Sequence, residues 1–217
     1  MYSGLFLKFR LGLILNPSFL TAGAWTNNCN IAPIVVAIAK LWPVGSPFEI
    51  AILKGVLSAN MVDVNYVNAP IIAKGRGIEV KTVKSQVATD YIGSISVKLA
   101  CEKKNSEVQG ALIAKDIKRI VKINDYVTSI KPEVHMLLVP HINKPKMIAQ
   151  VAGILGDDNI NISRMNVAQK SIRENATEIG EVSIMIISTD TSVAEETLEK
   201  ISALDGVESA KYVNLAV

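Results

Sequence analysis

The sequence predicts an α+β protein with two domains, a helix pair packed on a mostly antiparallel sheet and then a ferredoxin-like βαββαβ unit. Three observations lead to this fold class. Two helical patterns and then several strand-like segments fill residues 46–133. Strand and helix patterns alternate as strand, helix, strand, strand, helix, strand over residues 134–217. Residues 1–45 follow neither pattern and are predicted to form a separate, atypical segment.

The composition is that of a folded protein and argues against several classes of function. Hydrophobic residues make up 49% of the 217 residues and charged residues 20%. The net charge of +3 is small and the basic residues are scattered, so we expect no nucleic-acid partner. Cys29 and Cys101 make no CxxC or other metal-ligand spacing and the only histidines are His135 and His141, so we expect no four-ligand zinc site, no metal, and a reducing, cytoplasmic location.

The first 45 residues resemble a leader peptide only in part. Lys8 and Arg10 precede the apolar run 11–15, and residues 22–24 have the small-x-small form of a cleavage site. Asn16-Pro17 interrupts the apolar run, which falls short of the roughly 18 residues that a membrane-spanning helix needs. A secretion leader and the remnant of a truncated gene are both open, and the remnant is favoured. The apolar run 31–41 is compatible with a helix.

Residues 46–133 begin with a strong helix start. Ser46 can cap the helix, Pro47 suits its first position and Glu49 completes a capping box. A second helix is predicted from Ala69 to Arg76, ended by the glycine that follows. The predicted strands are Ile78–Val83, Ile92–Cys101, Glu107–Ala114, Ile117–Ile123 and Tyr126–Ile130.

Two further expectations concern this domain. In the second of these strands, three aliphatic residues alternate with Ser94, Ser96 and Lys98, which predicts one face exposed to water. Five cations are candidates for binding a phosphorylated ligand, although cations in loops are usually just solvated. They are Lys74, Arg76, Lys115, Lys118 and Arg119.

Residues 134–217 show the clearest pattern. The predicted elements are strands Val134–Pro140, Ile160–Lys170, Gly180–Ser188 and Val207–Asn214, and helices Lys144–Gly156 and Ser192–Leu204. Both helices carry one apolar face, so they can cover one side of a four-stranded antiparallel sheet. The second strand then lies at a sheet edge, and pairing it with a second copy of the chain predicts a homodimer.

The stretch from His141 to Asn161 is the candidate ligand site. His141 and Asn143 precede a helix start, where free backbone N–H groups and the helix dipole favour an anion. The two side chains add directional donors and acceptors beside that positive end. This arrangement is typical of a binding turn for a small zwitterion rather than of a catalytic site.

These residues resemble a known family, D-3-phosphoglycerate dehydrogenase. H-x-N-x-P before a helix, with N-I-N-I opening the next strand, resembles its ACT regulatory domain. The segments S-P-F-E-I-A-I-L-K-G-V-L and V-N-Y-V-N-A-P-I-I-A-K-G-R-G-I resemble the intervening, allosteric-substrate-binding domain of its longer forms. The resemblance covers residues 46–217. It implies that L-serine binds between two ACT domains and inhibits, with contacts from His141, Asn143 and Asn161.

The chain departs from the family in two ways. The family usually has glycine after the proline, where this chain has Lys146, which is expected to crowd the interface or to add a cation near the ligand carboxylate. The residues for NAD binding and for oxidation of 3-phosphoglycerate are absent, because Gly75-Arg76-Gly77 lacks the third glycine and the preceding strand of a dinucleotide fingerprint. We therefore predict no catalytic residue and no cofactor in this chain.

The leading hypothesis is a regulatory fragment of this enzyme of L-serine biosynthesis. Two alternatives stay open. One is the non-catalytic β-type subunit of an iron–sulfur L-serine dehydratase, whose cluster needs more cysteines than Cys29 and Cys101. The other is a free-standing ACT protein that binds an amino acid.

Overall fold

The computed structural model describes residues 7–15, 48–58, 61–85, 91–100, 105–115, 117–170 and 180–215. The chain forms two compact units, residues 1–124 and 125–217. The predicted apolar helix at 31–41, the capping residues Ser46 and Pro47, and both cysteines lie outside the described residues.

The first unit contains two helices and five strands. They are β1 (Leu7–Leu15), α1 (Phe48–Ser58), α2 (Ala69–Gly75), β2 (Ile78–Ser85), β3 (Gly93–Ala100), β4 (Asn105–Ala114) and β5 (Ile117–Ile123). The sheet order in this unit is β2-β1-β3-β4-β5, and the second unit begins with β6 (Tyr126–Ile130). β1 pairs in parallel with β3 and antiparallel with β2, while β3, β4 and β5 pair antiparallel. On α1, Ile52, Leu53, Val56 and Leu57 are buried at helical spacing.

Strand β1 was not among the predicted elements. An apolar run of this length serves equally as the core of a leader and as a strand, so its sequence alone does not separate the two. The structure brings Leu7–Leu15 into the same sheet as β2 and β3. The leader and remnant interpretations of residues 1–45, and the domain boundary at residue 46, stay predictions.

The prediction that β3 has a water-exposed face is wrong for two of its three residues. Ser94 and Ser96 are buried, whereas Lys98 is exposed. The Ser96 hydroxyl donates to Glu107 Oε1 at 2.8 Å, and Lys122 Nζ lies 3.2 Å from Glu107 Oε2. Serine is small enough to be buried with a polar partner, as Ser96 is, or without one among the described residues, as Ser94 is, so its alternation with aliphatic residues does not establish exposure.

The second unit has the predicted ferredoxin-like arrangement. Its elements after β6 are β7 (His135–Ile142), α3 (Met147–Asp157), β8 (Ile162–Gln169), β9 (Val182–Thr189), α4 (Glu195–Ser202) and β10 (Lys211–Asn214). The sheet order is β10-β7-β9-β8 and each neighbouring pair is antiparallel. β8 lies at the edge, as predicted.

The two helices pack on one face of this sheet. Met147, Val151 and Leu155 of α3 are fully buried, together with Leu198 and Ile201 of α4. They contact one apolar cluster from the two central strands, formed by Leu137, Val139, Met185 and Ile187. Ile148 was predicted to share the buried face of α3 but is 47% exposed, because it lies about 100° around the helix from Met147.

Candidate functional site

The turn between β7 and α3 is held by backbone hydrogen bonds. The Ile142 amide donates to the Gly206 carbonyl at 2.7 Å and the Asn143 amide donates to the Glu181 carbonyl at 2.7 Å. The Asn143 carbonyl accepts from the Gly180 amide at 2.8 Å. The Asn143 side chain, half-buried, makes no hydrogen bond to any described residue. The backbone of Asn143 is therefore held in place, and among the described residues its side-chain amide is available to a ligand.

His141 is a buried residue rather than a surface histidine. It is 2% exposed, and its Nδ1 lies 3.0 Å from the Val139 carbonyl oxygen. A carbonyl only accepts, so Nδ1 carries the proton. Burial lowers the pKa of His141, opposed by the Val139 carbonyl, so the ring is neutral near pH 7 and Nε2 is an acceptor. This geometry suits an ammonium or hydroxyl donor and does not suit a carboxylate.

Asn161 lies at the opposite end of the sheet. It immediately precedes Ile162, which pairs with Thr189, and Thr189 pairs with His135 at the start of β7. His135 and His141 are six residues apart on one strand, which corresponds to about 20 Å. Asn161 Nδ2 donates to Asp190 Oδ2 at 2.5 Å. Within one copy of the chain, Asn161 is therefore far from His141 and Asn143.

Lys146 is the residue immediately before α3, and its backbone is left-handed, with φ 71° and ψ −9°. Only glycine adopts this conformation freely. The left-handed backbone at position 146 is a physical reason for the glycine that the family usually has there. Lys146 also explains why α3 begins at Met147 rather than at Lys144 as predicted, because a helix cannot continue back through a left-handed residue. No side chain caps this helix start.

One ion pair borders the turn. Lys144 Nζ contacts Asp205 Oδ2, and this hydrogen bond holds the pKa of Asp205 below its usual value. Gly206, with φ 90°, packs beside the aliphatic end of Lys144. The turn before β10, which carries Asp205 and Gly206, thus contacts the turn between β7 and α3.

The five candidate cations of the first unit lie on different elements. Lys74 is exposed on α2 and Arg76 follows that helix, which leads into β2. Lys115 lies between β4 and β5, and β5 carries Lys118 and Arg119. These last two pair with consecutive residues of β4, so they point to opposite faces of the sheet. β1, β3 and β4 separate β2 from β5. A single anion site built from all five stays a prediction.

The structure also shows a polar row that the sequence analysis missed. His141 pairs with Ser183 on β9, and Ser183 pairs with Gln169 on β8. Ser183 is 1% exposed and its hydroxyl has no hydrogen-bond partner in the described structure. The available signal is a serine inside the otherwise apolar strand V-S-I-M-I-I.

Two classes of site receive no support from the described ranges. No group of three or more His, Cys, Asp or Glu residues there is placed to hold a metal ion. No helix in the same ranges is long and apolar enough to cross a membrane.

Comparison with known protein families gives two matches. Residues 44–124 match the D-3-phosphoglycerate dehydrogenase intervening domain, and residues 135–206 match the ACT domain. The chain carries the regulatory domain pair of D-3-phosphoglycerate dehydrogenase. The first unit thus contains the intervening domain, and the ferredoxin-like sheet with α3 and α4 is the ACT domain.

Similar proteins agree with this assignment. The chain is 33% identical to D-3-phosphoglycerate dehydrogenase of Synechocystis sp. and 35% identical to that of Methanocaldococcus jannaschii, over 78% and 76% of its length. It spans only 29% and 30% of those two proteins. It is also 25% identical to a probable L-serine dehydratase β chain of Bacillus subtilis, over 75% of this chain and 71% of that protein.

Proposed function

We propose that the ACT domain binds L-serine at an interface between two copies of the chain, with His141 and Asn143 from one copy and Asn161 from the other. In an intact D-3-phosphoglycerate dehydrogenase this binding would inhibit the NAD-dependent oxidation of 3-phosphoglycerate. The observation that carries the proposal is the strand register. It separates Asn161 from His141 within one copy, and antiparallel pairing of two β8 strands would bring the two ends together across a two-fold axis.

The register argument has two steps. β8 runs parallel to β7, since both are antiparallel to β9. If β8 of a second copy pairs antiparallel with β8, its first residues lie beside the last residues of the first copy's β8. An axis between Arg164 and Met165 sets Asn161 of the second copy opposite Ala168. Ala168 pairs with Ile184, which pairs with Pro140, the residue before His141.

The surface at this edge supports such a contact. Ile148 on α3 is 47% exposed and Val167 on β8 is 38% exposed, both on the helix-covered side. The C-terminal end of this edge has a neighbour already, since Tyr126 of β6 forms a bridge with Lys170. An axis centred on Arg164 and Met165 leaves that bridge intact. Pairing would give the open backbone groups of β8 their partners and would cover both aliphatic side chains.

The chemistry of the turn fits an α-amino acid. The neutral Nε2 of His141 and the amide oxygen of Asn143 are acceptors for an ammonium or hydroxyl group. The first backbone amides of α3 are donors for the carboxylate, and the helix dipole favours that charge. Lys146 adds a cation at the same helix start.

Calorimetric titration of the full chain with L-serine tests the binding. We expect heat of binding at millimolar L-serine, lost in Asn143→Ala and in Asn161→Ala. Asn105→Ala, at an exposed position on β4, is the matched control and should bind as the parent chain does. Absence of heat from a folded parent chain would refute the proposal.

Mixing the two inactive variants tests the inter-copy geometry. A heterodimer of Asn143→Ala and Asn161→Ala has one intact site, because one partner supplies His141 and Asn143 and the other supplies Asn161. Random exchange should therefore restore about one quarter of the parent's sites. If all the contacts came from one copy of the chain, mixing would restore none.

One observation favours a second candidate function. The chain is 25% identical to a probable L-serine dehydratase β chain over 75% of its own length, nearly the same share that matches the dehydrogenases. In this role it would associate with a cysteine-rich catalytic chain. Co-expression with such a chain, followed by an assay of pyruvate formation from L-serine, separates the candidates.

A further inference from the structure

The Ser183 hydroxyl is a buried polar group without a partner. Its side chain is 1% exposed, and no hydrogen bond reaches Oγ among the described residues. Leaving a hydroxyl in this state is costly, and such groups often mark a place where a ligand or water binds. Ser183 is not a member of the site that the sequence predicts.

Ser183 lies in the same row as His141 on the helix-covered face. Directly paired residues of antiparallel strands project to the same side, with Cβ atoms about 5 Å apart. The next row toward the sheet centre, formed by Val139, Met185 and Val167, is apolar, and its first two members pack against the helices. His141, Ser183 and Gln169 therefore form a polar row at the end of an apolar surface, near the start of α3.

Within this row, His141 and Ser183 offer hydrogen-bonding groups that one ligand hydroxyl can satisfy together. Nε2 of His141 is an acceptor, because Nδ1 donates to the Val139 carbonyl. The Ser183 hydroxyl can donate or accept. A ligand hydroxyl can donate to Nε2 and accept from Ser183 at the same time, whereas a methyl group satisfies neither.

We propose that Ser183, together with His141, recognises the side-chain hydroxyl of the effector and makes the ACT site selective for hydroxyl-bearing amino acids over aliphatic ones. This inference rests on the proposed function and adds the residue that sets effector specificity. Gln169 completes the row at the β8 edge.

The test is a cycle of two proteins and two ligands on the full chain. Parent and Ser183→Ala are each titrated with L-serine and with L-alanine, which differ only in the hydroxyl. We expect the parent to bind L-serine at least about tenfold more tightly than L-alanine, the factor that one neutral hydrogen bond supplies. Ser183→Ala should lose about tenfold for L-serine and change little for L-alanine, so that the discrimination disappears.

Two further variants control for indirect effects. Ser188→Ala makes the same substitution on the same strand, on the opposite face, and should keep the full discrimination. Ser183→Cys keeps the volume and offers a weaker hydrogen bond, so it should fall between the parent and Ser183→Ala. Thermal unfolding without ligand verifies that each variant is folded.

The outcomes separate this inference from the proposed function. If the parent binds L-serine and Ser183→Ala keeps both its affinity and its preference within about twofold, Ser183 does not read the hydroxyl and the proposed function stands. If the folded parent binds neither amino acid, both proposals are refuted. If discrimination is lost only in the Ser183 variants, the inference holds.

Discussion

Replacing Lys146 by glycine should stabilise the ACT domain. Lys146 has a φ of 71°, a conformation that costs a residue with a β-carbon about 1–2 kcal/mol. Glycine removes that cost, but its greater freedom in the unfolded chain takes back about 0.5–1 kcal/mol. The net gain is about 1 kcal/mol in the free energy of unfolding. For a domain of this size it corresponds to a rise of roughly 4–8 °C in the melting temperature.

Lys146→Ala separates backbone strain from the effect of the charge. It removes the ammonium group and most of the side chain but keeps the β-carbon, so the strain persists and the melting temperature should stay near that of the parent. Both variants are compared by calorimetry and by urea denaturation. If alanine stabilises as much as glycine, the strain argument fails and the side chain of Lys146 is the destabilising feature. Titration of the same pair with L-serine then shows whether the Lys146 cation affects binding.

Three further predictions concern buried or strained positions. Burial lowers the pKa of His141, so its contribution to stability is complete above its ordinary pKa of about 6.5 and is lost as the pH falls below that value. The urea concentration at the unfolding midpoint should therefore decrease when the pH is lowered from about 7.5 to about 5.5, and it should decrease less in His141→Asn. Gly206→Ala should destabilise the domain by about 1–2 kcal/mol, because a β-carbon there meets Lys144 and Met147 at 3.1 Å and φ is 90°. Gly153→Ala, on the exposed side of α3, should instead stabilise the domain by up to about 1 kcal/mol. Equal melting temperatures of the two variants would contradict both predictions. Leu155→Ala should cost about 2–5 kcal/mol in urea denaturation, against well under 1 kcal/mol for the exposed Ile148→Ala in the monomeric chain.

Periodicity predicted most of the ACT domain. The continuous apolar runs of β7 and β9, and the 3.6-residue spacing in α3 and α4, placed these elements within a few residues of their observed positions. The edge position of β8 followed from the connection order alone. Helix ends were less well predicted, because the left-handed Lys146 shortens α3 in a way that residue type does not reveal.

The intervening domain was harder to predict, for physical reasons. β1 pairs with β2 and β3 across a long stretch of sequence, and no local pattern encodes a pairing of that range. Ser94 and Ser96 look like solvent-facing residues until a neighbouring strand brings Glu107 within reach of Ser96. Both errors arise from contacts made between elements, on which the sequence of one element carries little information.

The candidate site shows the same limit more sharply. His141, Asn143 and Asn161 were predicted as members of one site because they flank one helix, and a 20-residue separation in sequence looks short. The strand register shows that a helix between parallel strands carries the chain from one end of the sheet to the other. The residue types were informative about ligand chemistry, and the resemblance implied a site between two ACT domains, but only the topology shows that Asn161 lies far from His141 and Asn143 within one copy.

An inter-copy site has a thermodynamic consequence for how this chain would regulate. If Asn161 reaches the ligand only from a second copy, L-serine binds the dimer and not the monomer. Each bound ligand then stabilises the dimer, and by reciprocity the apparent affinity for L-serine rises with protein concentration. Such a chain needs no catalytic residues of its own to act as a sensor, because the quantity that L-serine changes is the association of ACT domains. In this proposal, L-serine binding would change the distance and orientation of any attached domain relative to the same domain of the second copy.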